Sequence, residues 1–590
     1  TLATISHAAP QNGSMAEMDS VTHGPILGGP SSNSMEIWVR TSSPGKFTVT
    51  ATSTSSDESA MAEGRTSLRR DFSGTATLDN LSPGTRYTYK VYVGNSDKVQ
   101  ASGSFKTLPT RQSAKQGPHN SEGLFNFAFE VGSCNYQNRR LHDDPLMPAY
   151  ATMLREEADR INFQIMDGDF IYEAKRGTSV EEWRKANNVS EEQTPSVVNE
   201  LPGITGVWEN YKYYFERSPN LREWHRNVPT YFVIDDHEIL NDVNGTATPG
   251  YQERPAVYRD IGVQGWRDYV GWANPYPSEQ QGDMFHSTGS VESGSDVLVD
   301  KSTDFTEIDF DTYTNMTIHS NGEHAARGVY DIMEVLGEHR LKIHPAPSAD
   351  GDNLTYSFGK QNYYSFKVGN SEFFVTDTRT YRELHDRDNP HKEISMLGKR
   401  QREWLMEGMK NSDAEFLFVV SSVTFTIPHV DPDKPEKDES WTTYLHERDM
   451  LFEQWKNMDK PVILFSGDLH NSMSIKIDDN LWEFVSGPQN SPNHYAHDAA
   501  GRPANGDFTY NGNTVNIRWS SYFMDDVPGK YLNETYYCIV DVKNTYENRS
   551  PEGDVRNVAY SQPYVTVKYY SGETGELVHA ETITANAGSE

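Results

Sequence analysis

Five apolar runs in this chain each end in side chains that bind metals or move protons. Tyr231-Phe232-Val233-Ile234 leads into Asp235-Asp236-His237-Glu238, and Phe163-Gln164-Ile165-Met166 leads into Asp167-Gly168-Asp169-Phe170-Ile171-Tyr172-Glu173. Val462-Ile463-Leu464-Phe465 leads into Ser466-Gly467-Asp468-Leu469-His470, Phe373-Phe374-Val375 into Thr376-Asp377-Thr378-Arg379, and Phe127-Ala128-Phe129-Glu130-Val131 into Gly132-Ser133-Cys134. An apolar run bounded by polar residues reads as a buried strand, and in α/β sheets ligands gather beyond the carboxyl ends of the strands. One such end is readily explained as a charged turn, because acidic residues favour turns. Five of them point to a metal site assembled from separated segments.

The ligand types narrow the chemistry. Carboxylates together with a thiolate, a phenolate and a histidine suit a hard, highly charged ion such as ferric iron better than a structural zinc, which prefers several Cys and His. The many Asp oxygens also suit calcium or magnesium. Clustered cations can hold a phosphoryl oxygen, lower the pKa of a bound water and steady a leaving oxygen. Arg379 offers a planar fork that matches a phosphate edge.

The elements that must position these tips follow in order. Residues 1–20 are small and polar and read as an arm. From Val21 to residue 108, short alternating strands separated by Pro-Gly and Ser-rich turns predict a β-sandwich. Leu81-Ser82-Pro83-Gly84-Thr85-Arg86-Tyr87 resembles the tyrosine corner of fibronectin type III domains. Residues 109–123 read as a linker, and residues 124–590 as a second domain with β-α-β alternation. Within it, Pro148 to Ile161, Val207 to Glu223, a stretch from Leu397, and Trp441 to Trp455 read as helices. Residues 174–203 are expected to form a polar insertion near the site mouth. Residues 279–311, with nine acids and one lysine, read as a solvated surface insertion.

Composition excludes several classes. At 590 residues the chain exceeds one ordinary core. The balance of 53 basic against 85 acidic residues, net −32, argues against nucleic acid or an anionic membrane as a standing partner. No apolar run approaches the ~20 residues of a membrane span, so a soluble, globular protein is expected, a monomer with small molecules as its partners. An acidic enzyme acting on anions needs cations to reverse its field locally. Of the two cysteines, Cys538 lies in an apolar strand pattern and reads as a core thiol, whereas Cys134 stands at a strand tip. The numbering opens at Thr1 without Met, which reads as a processed or trimmed chain, and the many acids fit an exported protein, secreted, periplasmic or held at the cell surface.

The motifs, taken together, resemble the PhoD-type alkaline phosphatases. Gly132-Ser133-Cys134, Gly168-Asp169-Phe170-Ile171-Tyr172-Glu173, Asp235-Asp236-His237-Glu238, Asp377-Thr378-Arg379, Leu397-Gly398 with Gln401 and Trp404-Leu405, Trp441 with Tyr444, Glu447 and Arg448, and Gly467-Asp468-Leu469-His470 fall in that family's order, behind an opening Thr22-His23-Gly24-Pro25. The resemblance implies an exported phosphodiesterase and phosphomonoesterase using Fe3+ and Ca2+, two calcium ions being expected. It implies an α/β metallophosphatase sandwich of four layers, two central mixed sheets flanked by helices, behind a fibronectin III-like domain. It places Cys134, Asp169 and Tyr172 on the ferric ion, Asp235, Asp236, Asp468 and His470 among the metal ligands, and Asn241 as a further ligand. His237 would contact the phosphoryl group or leaving oxygen, and Arg379 would hold phosphate. Phe170 stands where the family often has Tyr.

Two other readings stand beside it. A strict diesterase would carry the same motifs with a pocket that excludes monoesters. A calcium-dependent adhesion protein would need none of Cys134, His237 and Arg379, and iron in the purified protein would exclude it.

Overall fold

Residues 21–106 alternate apolar and polar side chains in runs of six to eight, and each run is a strand. In the computed structural model, which describes residues 19–137, 146–319, 324–431, 433–521, 534–551 and 553–585, these strands form a three-stranded and a four-stranded sheet. The expected arm lies outside the described residues except for Asp19 and Ser20. Ile37, Val39, Phe47, Val49, Tyr89 and Val91 fill the space between the sheets. The backbone N–H of Ser82 donates to the Tyr87 hydroxyl at 2.9 Å, the bond expected of a tyrosine corner.

Residues 109–123 are not a loose tether. Thr110 and Ser113 cap the short helix Arg111–Ala114 reciprocally, and the buried Asn120 side chain bonds Ala114 and Leu124. Polar side chains bonding backbone groups supply the order that apolar side chains would supply elsewhere. The sandwich docks on the rest of the chain through Asp71, which is fully buried. Its carboxylate accepts from Arg40 Nε at 3.1 Å within the sandwich, and from Trp183 Nε1 at 2.7 Å and the Tyr269 hydroxyl at 2.5 Å across the junction. Lys212 Nζ adds a contact at 3.3 Å.

Beyond residue 126, two mixed sheets face one another. The first runs Thr230–Phe232, Phe163–Met166, Phe127–Gly132, Tyr536–Arg549, Val555–Ser571, Leu577–Thr584, with its first three strands parallel. The second has eight strands, among which Ser371–Val375, Phe416–Ser421, Val462–Ser466 and Leu481–Val485 are parallel. Phe129 joins the sheets edge-on to Phe373, Phe418 and Phe465 at 5.2, 5.6 and 6.1 Å. Such edge-to-face pairs add about 0.5–1.5 kcal/mol each beyond burial. Helices Gly398–Asn411 and Leu445–Lys456 cover the far face of the second sheet, where Leu405, Met409 and Trp455 meet Leu417, Val419 and Leu464. Strands that are parallel within each sheet deliver their carboxyl ends to one rim, which is where the site lies.

Three readings of elements are corrected. The stretch expected as one helix from Val207 to Glu223 is two, Ile204–Arg217 and Pro219–Asn227, because Pro219 lacks the N–H needed to continue a helix and Ser218 caps the second. Residues 174–203 begin beside the site, where Arg176 Nη2 donates to the His237 carbonyl at 2.6 Å, but they are not simply a polar insertion and none of them lines the cavity above the site. They fold into Val180–Asn187 and Ser196–Glu200, and Trp183 is buried against the sandwich at Asp71. Most of residues 279–311 are not a solvated insertion either. They supply the first strands of a closed six-stranded barrel spanning 285–358, with Leu298, Phe305, Met316, Leu341, Tyr356 and Phe358 in its core. All of its acids but the buried Asp300 are exposed or half-buried, so a charge count over the segment hides the apolar residues between them.

Candidate metal centre

Three strand tips share an unusual backbone. Cys134, Asp169 and Asp468, at the ends of Phe127–Gly132, Phe163–Met166 and Val462–Ser466, have φ of 62°, 55° and 60°. A side chain in the left-handed region costs roughly 1–3 kcal/mol and persists only where surrounding contacts enforce it. The turn throws each side chain back over the end of its own strand. Gly168 makes the turn possible, because a Cβ there would lie 2.5 Å from that of Asp235.

The Asp235–Glu238 segment is fixed to this rim by its own glutamate. Glu238 Oε1 accepts the N–H of Phe170 at 2.8 Å, and Oε2 accepts those of Asp169 at 3.2 Å and Asp235 at 2.8 Å. The two chain segments that carry Asp169, Asp235 and Asp236 are thereby tied through one buried carboxylate.

Among the described residues four ligand sets result, of which Asp169, Asp236 and His237 form one and Asp236, Asp242 and Glu439 another; the remaining two share Asp169. Ligand atoms of Cys134, Asp169 and His470 lie within 4.8 Å of one another, as do those of Asp169, Asp235, Asp236 and Asp468. Tyr172 belongs with the first set: its hydroxyl donates to Asp169 Oδ2 at 2.9 Å and lies 3.0 Å from His470 Nε2. His470 Nδ1 donates to the Pro492 carbonyl at 2.8 Å, which leaves Nε2 as a lone pair aimed at this group, the arrangement typical of a ligating imidazole. Burial holds the His470 pKa down to about 3, so the ring is neutral. Burial, followed by the nearby Asp169 charge, pushes the Cys134 thiol and the Tyr172 phenol far above their ordinary ranges. Asp169 Oδ1 and Asp235 Oδ2 are buried without a hydrogen-bond partner. A thiol, a phenol and unpartnered carboxylates packed together are stable as anions only around a cation, so the donor set fits bound metal.

Arg379 stands among the acids beneath the rim. It is fully buried, with Nε at 2.5 Å from Asp235 Oδ1, Nη1 at 2.5 Å from Glu439 Oε2, and Nη2 at 3.4 Å from Asp468 and 3.8 Å from Asp236. Four carboxylates surround one guanidinium: Asp235 and Glu439 engage Nε and Nη1, while Nη2 is buried without a hydrogen-bond partner.

Above the centre opens a cavity of about 830 Å³ lined by Tyr172, His237, His429 and His470. His237 Nδ1 pairs with Glu173 at 2.7 Å, and its ring lies 3.8 Å from that of Tyr172, leaving Nε2 available to the cavity. Burial opposes charging of His237, but the carboxylates of Asp236, Glu173 and Asp169 outweigh it and raise the pKa well above the usual range. Asn241 lies exposed at the rim, its backbone N–H on Glu173 at 2.7 Å. Arg379 does not line the cavity; among the described residues the Lys or Arg that does is Lys437.

Reading the sequence passed over the segment that supplies Lys437, His429 and Glu439. His429 Nδ1 bonds Asp468 Oδ2 at 2.6 Å and Lys437 Nζ lies 3.1 Å from Glu439. The available signal was the strand Phe416–Ser421, whose end leads through Ser422 to His429 in the same manner as the other tips. Both cysteines are free and buried.

The model of the PhoD-like phosphatase family matches residues 127–295 and 343–523, and that of the family's N-terminal domain matches residues 7–109. Among solved structures the chain is similar to the structure of PhoD, at 16% identity and TM-score 0.55 over 98% of this chain and 94% of that one. It is also similar to purple acid phosphatase PPD1 from yellow lupin (Lupinus luteus) seeds, at 11% identity and TM-score 0.50 over 95% of this chain and 74% of that one. At these identities the likeness speaks for the fold: a metallophosphatase-like α/β domain behind an N-terminal β-sandwich. A search of curated proteins by sequence finds no match.

Proposed function

The chain belongs to the PhoD-like phosphatase family and is a metal-dependent phosphoric ester hydrolase, and from that premise we propose that it is an exported enzyme acting on phosphodiesters and phosphomonoesters with ferric iron and calcium. The observation that carries the metal reading is the pair of ligand sets sharing Asp169. We assign Cys134, Asp169, Tyr172 and His470 to the ferric ion. Asp169, Asp235, Asp236 and Asp468 go to calcium, with Asn241 at the rim. When bound, the cations supply charge for the phosphoryl oxygens and lower the pKa of water.

The chain's own groups do the rest. His237, oriented by its 2.7 Å pairing with Glu173, gives a proton or hydrogen bond from Nε2 to the phosphoryl group or leaving oxygen. His429 holds the Asp468 carboxylate in orientation. Arg379 serves as counter-charge to Asp235, Asp236, Glu439 and Asp468, in place of the phosphate contact expected of it, because it is fully buried and does not line the cavity.

Diesters are favoured over monoesters by the cavity rim. Asp431, Asp433 and Asp498 line it beside Lys437, and they repel a dianionic monoester more than a singly charged diester. The acidic surface supports export into salty surroundings, where high negative charge keeps a protein soluble. Elemental analysis and parallel turnover of bis(p-nitrophenyl) phosphate and p-nitrophenyl phosphate test the proposal. Active protein free of iron would remove the ferric assignment, a monoester preference would reverse the substrate order, and activity confined to the cytosol would remove export.

A further inference from the structure

The barrel of residues 285–358 contains a stretch, 296–342, that lies outside the matched family regions. It is bolted to the phosphatase unit through Arg259, which is 1% exposed. All five guanidinium donors are engaged. Nε and Nη2 meet Asp260 at 2.6 and 3.2 Å, Nη1 meets Asn315 Oδ1 at 2.5 Å, Nη2 meets Thr317 Oγ1 at 2.8 Å, and Nη1 also reaches the Thr246 carbonyl at 3.3 Å. Asn315 and Thr317 belong to the barrel, and barrel residue Ser357 donates to Asp260 at 2.8 Å. His319 bridges Ser357 and the Val257 carbonyl at 2.5 and 2.9 Å.

The far side of this clamp is the active rim. Thr246 Oγ1 donates to the Arg379 carbonyl, and the Ala247 N–H donates to the Arg382 carbonyl at 3.1 Å. Five residues before Thr246 the same loop leaves the Asp236 turn, and the Asp242 N–H donates to Asp236 Oδ2 at 2.7 Å. The helix that begins at Arg259 presses on that turn: a Cβ at Gly262 would lie 2.7 Å from the Glu238 carbonyl.

We propose that Arg259 is a positioning residue through which the inserted barrel sets the placement of Thr246, and thereby of Arg379 and the carboxylates packed on it. The barrel is thus a buttress of the metal centre. This rests on the assignment of that centre given above. Only a planar fork can meet Asp260, Asn315, Thr317 and Thr246 at once, and lysine keeps the charge but not the geometry.

The test compares Arg259→Lys with Asp300→Asn in the full chain. Asp300 accepts from Ser287, Thr303 and Tyr356 inside the barrel and does not touch Arg259, so its loss disturbs the barrel without breaking the clamp. Amide hydrogen exchange of peptides covering 241–250 and 379–384 is read beside kcat, KM and bound metal. Arg259→Lys is expected to accelerate exchange in both peptides by tenfold or more, and to lower kcat per bound metal by tenfold or more with KM within twofold. Asp300→Asn is expected to lower thermal stability and leave both readouts near the parent values. Unchanged exchange in Arg259→Lys, unchanged kcat despite faster exchange, or equal losses in Asp300→Asn at matched stability would each overturn the proposal. If the parent protein hydrolyses neither ester, the assigned function falls, while the exchange data still read the clamp.

Discussion

Glu238 holds Asp169 by its backbone: Oε2 accepts the Asp169 N–H at 3.2 Å, from a carboxylate that also binds Phe170 and Asp235. The relationship ties two strand tips into one rim, so the ligand geometry depends on a residue that touches neither cavity nor substrate. Glu238→Ala is expected to lose most bound metal and activity together, and to cost stability by about 2–4 kcal/mol through three orphaned buried N–H groups. Denaturant midpoints and elemental analysis on the same preparation check this. Full metal content in Glu238→Ala would show that the tips hold their left-handed turns without it.

His237 should fail in the opposite way. Its partner is Glu173 and it stands over Tyr172; one ligand set, with Asp169 and Asp236, includes it, but the two sets assigned to iron and calcium close without it. His237→Ala is expected to keep its metals and lose kcat by about 10²–10⁴-fold, the range for a lost acid or charge-stabilising donor. Near-normal turnover on both p-nitrophenyl esters with full metal would remove His237 from the mechanism.

Arg379→Met separates counter-charge from substrate contact. Four carboxylates lose a fully buried cation, so metal-stripped protein should be destabilised by several kcal/mol, roughly the 3–5 kcal/mol of a broken buried pair. Metal-loaded protein should recover much of that, because bound cations neutralise the same acids. Equal destabilisation in both states, with a large rise in KM, would restore a direct phosphate contact.

Stability should fall in acid, in two windows. Burial lowers the His225 pKa to about 3 from 6.5, so the folded state resists a proton that the unfolded state takes up below 6.5. Each pH unit between 6.5 and about 3 therefore costs up to ~1.4 kcal/mol, and His225→Leu should flatten that slope in urea titrations. For Asp71, burial works upward, but Arg40 and Lys212 outweigh it and hold the carboxyl below its usual 3.8. Its stabilisation is present above that value and is lost as pH falls through the folded one. The sandwich junction should then loosen, and Asp71→Asn should show the loosening already at neutral pH. A pH-independent midpoint from 7 to 4 would contradict the His225 assignment.

Much of the centre was legible in the chain itself. A run of apolar residues followed by Gly-x-Cys, Gly-Asp, Asp-Asp-His-Glu or Gly-Asp-Leu-His announces a buried strand and a functional tip, because burial sets the run and backbone strain sets the glycine. Cys134, Asp169, Tyr172, Asp235, Asp236, Asp468 and His470 converge as their positions at strand ends imply. Alternation likewise announced the sandwich and its Tyr87 corner.

Other features depend on which segments meet, and no local pattern carries that. His429, Lys437 and Glu439 sit in a polar hairpin that resembles any surface loop until the fold brings it over Asp468 and Arg379. Arg379 looked free to grip a phosphate, and only the tertiary structure reveals that it is buried away from the cavity with Nε and Nη1 held by Asp235 and Glu439. The acidic run 279–311 looked solvated because charge is counted along the chain, whereas a barrel core is built across it, from residues such as Leu298, Met316 and Tyr356. Sequence determined what each tip can bind; tertiary structure decided what each tip is held by, because buried pairing energy is settled between segments far apart in the chain.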